Sequence, residues 1–256
     1  MKKITIQNIQ DLKNSSTTFA TLTAYDYCSA QIVDEANIPL ILVGDSASMT
    51  MYGYDTTVPI SMEEMLLVVR AVCRGVKQSL VVADMPFLSY QPSIEETIKN
   101  AGRLIKEGGA NAVKLEGGES VEKNINALVE SGIPVLGHVG LMPQSVNQTS
   151  GYKIQGKNTE EAEKIIQDAF AVERAGAFGV VLECIPEDLA TTITQKLTIP
   201  TIGIGSGNTC DGQIQVFHDI IGLTKGNPPK HAKQYDKLYN QILKIVENYQ
   251  QDINNS

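Results

Sequence analysis

Short apolar runs recur along this chain, and six of them stop at a residue able to do chemistry. Leu40-Ile41-Leu42-Val43-Gly44 leads to Asp45-Ser46, and Leu80-Val81-Val82-Ala83 leads to Asp84. Ala112-Val113 leads to Lys114 and Glu116, Pro134-Val135-Leu136-Gly137 to His138, and Gly179-Val180-Val181-Leu182 to Glu183. Pro200-Thr201-Ile202-Gly203 opens into Gly205-Ser206-Gly207. Such β-branched runs without polar alternation read as strands buried on both faces. Polar groups at the ends of parallel strands can meet on one rim, as in an active site at the C-terminal face of a barrel.

Helical spacing fills the intervals. A short N-terminal helix carries Ile6, Ile9 and Leu12, a strand follows over 19–24, and the next helix has Ile32, Val33 and Ala36 on its inner face. Ser61 with Glu64, and Ser93 with Glu96, predict capping boxes that start helices after a loop from Ser48 to Pro59 and after the third strand. Helices are expected over 120–130, 159–175 and 187–197, with an irregular stretch from Gly140 to Lys157 that has the length of a lid or binding segment. Val216 to Leu223 is the expected eighth strand. Pro228-Pro229 then precedes a final amphipathic helix striped by Tyr235, Leu238, Tyr239, Ile242, Val246 and Tyr249, and 250–256 reads as a polar, frayed tail. Eight strands alternating with helices predict a single α/β domain over 1–256, a (βα)8 TIM barrel with a short N-terminal helix. A doubly wound sheet for a dinucleotide needs a glycine fingerprint after the first strand, where Tyr25-Asp26-Tyr27-Cys28 stands instead.

Composition narrows the picture. At 256 residues, 42% of them hydrophobic, the chain can bury a large core as one unit. A net charge of -8 argues against nucleic acid or an anionic membrane as partner. Cys28, Cys73, Cys184 and Cys210 are far apart and lack a C-x-x-C pair, which points away from zinc and toward a reducing, cytoplasmic setting. Polar residues from Gln7 to Asp11 interrupt any signal-peptide core after Met1-Lys2-Lys3, and no run reaches a membrane span.

Asp45, Asp84 and Glu116 end three successive strands, so a barrel sets them side by side. Carboxylates 4 Å apart repel by about 4 kcal/mol per pair at an effective dielectric of 20. A hard divalent cation such as magnesium relieves this while leaving positions for substrate oxygens; each aspartate alone would equally serve as a helix cap. Lys114 and Glu116 share a strand face, which fits a salt bridge, a seat for a substrate carboxylate, or a Schiff-base lysine. His138 gains interest only from standing on the same rim, whereas His218 and His231 read as structural or surface residues. Glu183 is a candidate base whose apolar neighbours raise its pKa while a metal and Lys114 lower it. Gly203-Ile204-Gly205-Ser206-Gly207 fits a phosphate cradle or a tight turn.

With those residues in view, the chain resembles the ketopantoate hydroxymethyltransferase family of pantothenate biosynthesis. The resemblance runs through Thr23-Ala24-Tyr25-Asp26-Tyr27, Leu42-Val43-Gly44-Asp45-Ser46, Ala83-Asp84-Met85-Pro86-Phe87 and Val113-Lys114-Leu115-Glu116-Gly117-Gly118. It continues through Gly137-His138-Val139-Gly140-Leu141-Met142-Pro143-Gln144-Ser145, Gly151-Tyr152-Lys153-Ile154-Gln155-Gly156, Leu182-Glu183-Cys184-Ile185-Pro186, Ile202-Gly203-Ile204-Gly205 and Asp211-Gly212-Gln213. Ser48, Ser206 and Cys28 depart from the family's usual Gly, Ala and Ser.

The resemblance implies a barrel of the phosphoenolpyruvate/pyruvate-binding type. It implies transfer of a hydroxymethyl group from 5,10-methylenetetrahydrofolate to 3-methyl-2-oxobutanoate through a metal-stabilised enolate. Asp45 and Asp84 would bind Mg2+, with Glu116 binding directly or through water. Asp45, Ser46, Asp84 and Lys114 would hold the keto acid, Glu183 would accept the proton, and His138 would stand beside the substrate. A cytoplasmic homodecamer, a pentamer of dimers, is also implied. The rival enzyme group, isocitrate lyase and phosphoenolpyruvate mutase, carries a Lys-Lys-Cys-Gly-His segment that is missing here. A catalytically idle barrel acting as a binding protein is the other alternative, and loss of Glu183 or an aspartate would have favoured it.

Overall fold

The computed structural model describes residues 3–255 apart from 14, 16, 150, 152, 227 and 230. Met1, Lys2, Tyr152 and Ser256, each part of a segment discussed above, lie outside the described residues.

After helix α1 (Ile6–Gln10), eight strands alternate with helices. The first half runs β1 (Phe19–Thr23), α2 (Tyr27–Glu35), β2 (Leu40–Val43), α3 (Ala47–Thr50), α4 (Met62–Gly75), β3 (Leu80–Asp84), α5 (Ile94–Lys106) and β4 (Ala112–Glu116). The second half runs α6 (Glu122–Glu130), β5 (Val135–Gly140), α7 (Val146–Thr149), α8 (Thr159–Arg174), β6 (Gly179–Glu183), α9 (Glu187–Lys196), β7 (Thr201–Ile204), β8 (Gly212–Gln215), α10 (Phe217–Ile221) and α11 (Leu238–Asn254). The strands close in order, each parallel to its neighbours, with β1 pairing β8 from Phe19 opposite Gly212 to Leu22 opposite Gln215. The expected (βα)8 barrel is what the chain forms.

Alternation within the doubly buried strands decides what faces the axis. Leu40, Leu42, Leu80, Val82, Ala112, Leu136, Val181 and Ile202 fill the interior, plugged from below by Ile9 of α1. Ile41, Val43, Val81, Ala83, Val113, Leu115, Val180 and Leu182 point outward against the helices. Each fully buried aliphatic side chain contributes about 1.5–3 kcal/mol of transfer free energy. Counting by twos from the interior set leads to Asp84, Lys114, Glu116, His138 and Glu183. The groups that do chemistry thus continue the interior rows upward, where packing gives way to a cavity.

Several local expectations need adjustment. Ser61 and Glu64 form a full capping box. At Ser93 only the hydroxyl accepts, from Glu96 N–H, while the Glu96 carboxylate turns to Lys99. The eighth strand is 212–215, not 216–223. Gln213 and Gln215 alternate with buried Gly212 and Ile214, whereas the apolar spacing beyond Val216 is helical and α10 ends at Gly222 with φ +65°. The stretch from 140 to 157 is partly ordered by a 3-10 turn over Pro143–Ser145 and by α7. In the final helix Tyr235 precedes the first turn, and helix continues through 250–254. That helix buries none of its residues: Ile242, Leu243, Ile245, Val246, Tyr249 and Ile253 are all exposed.

Candidate active site

Strand register sets the first contacts. Asp84 lies opposite Lys114, and Glu116 opposite His138. Lys114 Nζ stands 2.9 Å from Asp84 Oδ1, 3.1 Å from His138 Nδ1 and 4.0 Å from Glu116 Oε1. Asp45 follows β2 and donates its backbone N–H to Asp84 Oδ2 at 2.9 Å. Glu183, the last residue of β6, brings Oε2 to 3.4 Å from His138 Nε2. Asp45, Asp84, Lys114, Glu116 and His138 are all buried, and Ser46 joins them through its hydroxyl, 2.7 Å from Tyr25 Oη.

This centre holds four carboxylates against one ammonium, and burial magnifies the imbalance. Burial, then the charge of Asp84, pushes Asp45 up to about 7 against the pull of Lys114 and Gln144. Burial raises Asp84, with Lys114 opposing, and holds Glu116 well above the ordinary carboxylate range. For Glu183 the competition left open by the sequence goes to burial, which overrides Lys114 and lifts the group to about 8. Burial alone would lower Lys114, but Asp84, Glu116 and Asp45 together drive it above its normal value. A lysine so firmly protonated is a poor amine nucleophile, so among the three roles considered for it the ion pair and the substrate seat fit and the Schiff base does not.

Burial and the neighbouring ammonium push His138 well below its usual value, so it is neutral. Nδ1 faces the Lys114 ammonium and must accept, which leaves the proton on Nε2 to donate to Leu141 O at 2.7 Å. The tautomer is assigned from these bonds. His138 thereby orients Lys114 while presenting its N–H edge to Glu183.

The turn after Glu183 is strained. Cys184 takes φ +48°, a left-handed conformation costly for a side chain with a Cβ. Its N–H bonds Ile204 O, its carbonyl accepts from Gln155 N–H, and the Glu183 carbonyl accepts from Leu141 N–H, all at 2.8 Å. Gly140, at φ +94°, makes room: a Cβ there would lie 2.3 Å from Glu183 O. The glycine loop after β7 has the backbone of a tight turn. Gly205 and Gly207 both have positive φ, and a Cβ on Gly207 would strike the Glu187 side chain.

Gln144 and Tyr90 are the residues that sequence reading missed. Gln144 Nε2 donates to Asp45 Oδ2 and Met85 O, both at 2.9 Å, and its backbone N–H donates to Glu116 Oε2 at 3.1 Å. Tyr90 Oη bonds Gln144 Oε1 at 2.9 Å. Gln144 stands in one of the segments that carry the resemblance, but nothing in its spacing gave it a role. Gln144→Leu strips a donor from Asp45 Oδ2, leaves Met85 O without its side-chain partner, and leaves Tyr90 Oη with its Glu116 backbone bonds alone. It is expected to destabilise the protein by about 2–4 kcal/mol, at about 1–3 kcal/mol per unsatisfied group; urea denaturation checks this, and an unchanged midpoint contradicts it.

The side chains line a cavity of about 1000 Å³ at the C-terminal mouth of the barrel. His218 and His231, read from the sequence as structural or surface residues, also line it. Of the three departures, Ser48 is buried and donates to Thr56 O at 2.6 Å, Ser206 packs buried near Cys210, and Cys28 is exposed in the first turn of α2. Among the described residues no three His, Cys, Asp or Glu side chains stand close enough to hold a metal ion by themselves. Asp45, Asp84 and Glu116 therefore converge as a wall and not as a preformed three-ligand cage, because Lys114 and Gln144 occupy part of their oxygens. The donor set still fits a hard cation: oxygen ligands in excess negative charge, with Asp84 Oδ1 near Lys114 but in no hydrogen-bond geometry.

The family model described as ketopantoate hydroxymethyltransferase matches residues 3–256. A protein described as 3-methyl-2-oxobutanoate hydroxymethyltransferase from Carboxydothermus hydrogenoformans is 51% identical over 99% of this chain and 92% of its own length. One of the same description from Syntrophus aciditrophicus is 48% identical over 99% and 93%. Among solved structures, phosphoenolpyruvate phosphomutase from Streptomyces platensis subsp. rosaceus aligns with a TM-score of 0.66 at 12% identity, covering 98% of this chain and 88% of that one. Phosphonopyruvate hydrolase, solved with oxalate and Mg++, aligns with a TM-score of 0.64 at 15% identity, over 85% and 81%. At such identities the likeness concerns the barrel alone.

Proposed function

This chain belongs to the ketopantoate hydroxymethyltransferase family, and from that premise we propose that it transfers a hydroxymethyl group from 5,10-methylenetetrahydrofolate to 3-methyl-2-oxobutanoate. The product is 2-dehydropantoate, for pantothenate and coenzyme A synthesis. The observation that carries the reading is Glu183: a carboxylate made more basic by burial, facing one cavity with the only buried ammonium of the rim cluster.

Lys114 and the Ser46 hydroxyl seat the keto acid's carboxylate and keto oxygens, and Asp45 and Asp84 would hold Mg2+, with Glu116 binding directly or through water. A divalent cation bound there supplies Lewis-acid stabilisation of negative charge on the keto oxygen. Glu183 removes the C3 proton, and the C–H electron pair passes into the enolate. Water adds to the donor's methylene carbon, and both of its carbon–nitrogen bonds break as N5 and N10 each take one of the water's protons. C3 bonds the one-carbon unit so released, whose oxygen takes the proton held by Glu183. His138, neutral, keeps Lys114 aimed and cannot compete for the C3 proton through Nε2, which is already protonated.

Product formation from both substrates with Mg2+, its loss after EDTA, and its return on adding Mg2+ are the expected results. No product with Mg2+, or full activity after chelation, refutes the mechanism. The pKa directions give a second test without turnover. Asp45 and Glu183 have folded-state values, about 7 and about 8, above those of an unfolded chain. Their contribution to stability is therefore fully present in acid and lost as pH rises through about 7–8. The metal-free protein is expected to melt lower near pH 8 than near pH 5. Mg2+ competes with those protons and should raise Tm more at the higher pH; a Mg2+ shift equal at both pH values contradicts this assignment.

Two further features support the wider reading. The uncovered apolar side chains of α11 fit a homo-oligomer, for which we retain the decamer implied by the resemblance. The four free cysteines fit a cytoplasmic protein; no helix among the described residues is long and apolar enough to cross a membrane.

A further inference from the structure

The closed strand order divides the cavity. Strands β2 to β6 supply every charged group of the centre described above, while the arc from β7 through β8 to β1 contributes Thr23, Ile204, Gln215, His218 and Asp219. A cavity of about 1000 Å³ lies at the upper end of the ~300–1,000 Å³ typical of small-molecule sites, far more than a five-carbon keto acid fills. The second arc is where the remaining space has polar groups to offer.

Two of those groups lack partners among the described residues: Gln215 Oε1 and His218 Nδ1 are buried atoms with no hydrogen bond there, although Gln215 and His218 both line the cavity. Asp219, in α10, has no ion pair or side-chain hydrogen bond among the described residues, and burial alone raises its pKa. Unsatisfied buried polar atoms are uncommon, and the buried amide oxygen of Gln215 with the half-buried Asp219 carboxylate asks for a ligand with donors. Beside Asp219, which has no ion-pair partner among the described residues, a neutral group with donors is favoured over an anionic one. A neutral ring edge carrying two adjacent N–H groups suits a carboxylate well, because two parallel N–H···O bonds match its two oxygens.

We propose that the β8–α10 arc is the pterin subsite, in which the Asp219 carboxylate accepts the 2-amino and N3 hydrogens of the folate donor, with Gln215 and His218 meeting other polar ring atoms. This rests on the folate-dependent reaction proposed above and names which part of the cavity takes the donor. Position supports it: the His218 ring lies 5.3 Å from that of Tyr25, and Tyr25 Oη bonds Ser46 Oγ in the keto acid seat. Thr23 Oγ1 fixes the start of α10 by accepting from Phe217 N–H at 3.0 Å. The ring edge is thus held beside the keto acid, with the donor's methylene carbon free to face it.

Calorimetric titration of tetrahydrofolate, and of an analogue with methyl in place of the 2-amino group, into wild type and Asp219→Asn tests this. Wild type is expected to bind the analogue about tenfold more weakly or worse. Asp219→Asn is expected to lose a similar factor for tetrahydrofolate and to discriminate little between the two ligands, as coupled partners do. Tetrahydrofolate binding unchanged in Asp219→Asn overturns the subsite, as does equal discrimination by both proteins. If Asp219→Asn fails to fold, the wild-type comparison decides alone: no discrimination against the methyl analogue overturns the assignment. Wild type that binds no tetrahydrofolate at all overturns both the subsite and the folate reading beneath it.

Discussion

Glu183→Gln is expected to slow exchange of the C3 proton of 3-methyl-2-oxobutanoate with solvent by about 10²–10⁴-fold, the usual contribution of a positioned general base. The amide keeps the shape of the carboxylate and its place opposite His138 Nε2, but it cannot take a proton. Proton NMR of the substrate in D2O measures the step without the folate donor. Mg2+ binding, followed by calorimetry, should persist, because Asp45 and Asp84 are untouched and no proposed ligand is lost. Exchange at the wild-type rate removes Glu183 as the base. Loss of both exchange and Mg2+ binding would make it a ligand instead.

Lys114→Met is expected to cost about 3–5 kcal/mol of folding stability near pH 8, the range seen when one partner of a buried ion pair is removed. Methionine fills the space of the alkyl chain, so the loss is electrostatic. Lys114 touches Asp84 at 2.9 Å and is only 4% exposed, and three other carboxylates face the same cavity. The folded-state pKa of the lysine is raised, so in the wild type its contribution is present throughout the range below the unfolded value and does not vary between pH 5 and 8. The pH dependence of the variant comes from the carboxylates. Protonating them toward pH 5 removes the repulsion, and stability should largely return. Urea denaturation at the two pH values reads both effects; a midpoint matching wild type at pH 8 contradicts the account.

The barrel and most of its centre were legible because two simple rules agree. Strands buried on both faces lose their polar alternation and appear as unbroken apolar runs, and a parallel barrel collects their C-terminal ends. Asp84, Lys114, Glu116, His138 and Glu183 follow directly, since each extends an interior row. What remained hidden obeys neither rule. Gln144 acts from a 3-10 turn, where a glutamine has no periodic neighbour to reveal its direction. His218 and Asp219 looked like part of an eighth strand, because Val216 to Leu223 is apolar enough for either conformation and only the pairing of Gly212 and Gln213 with β7 decides. Strand order places the three carboxylates together, but it does not show that Gln144 and Lys114 take up part of their oxygens, because those contacts are tertiary.

The peptide units that follow the Glu183 side chain also act as a latch on the neighbouring loop. Glu183 O holds Leu141 N–H, Cys184 O holds Gln155 N–H, and Cys184 accepts a strained backbone to present both carbonyls. The segment between 141 and 155, which carries the Gln144 clamp, is therefore tied near each end to the base itself. It cannot lift away at either of these ends without breaking a hydrogen bond to the Glu183–Cys184 turn. The turn that presents the proposed base and the segment that carries the Asp45 clamp are thus coupled through two backbone bonds, and loosening one loosens the other.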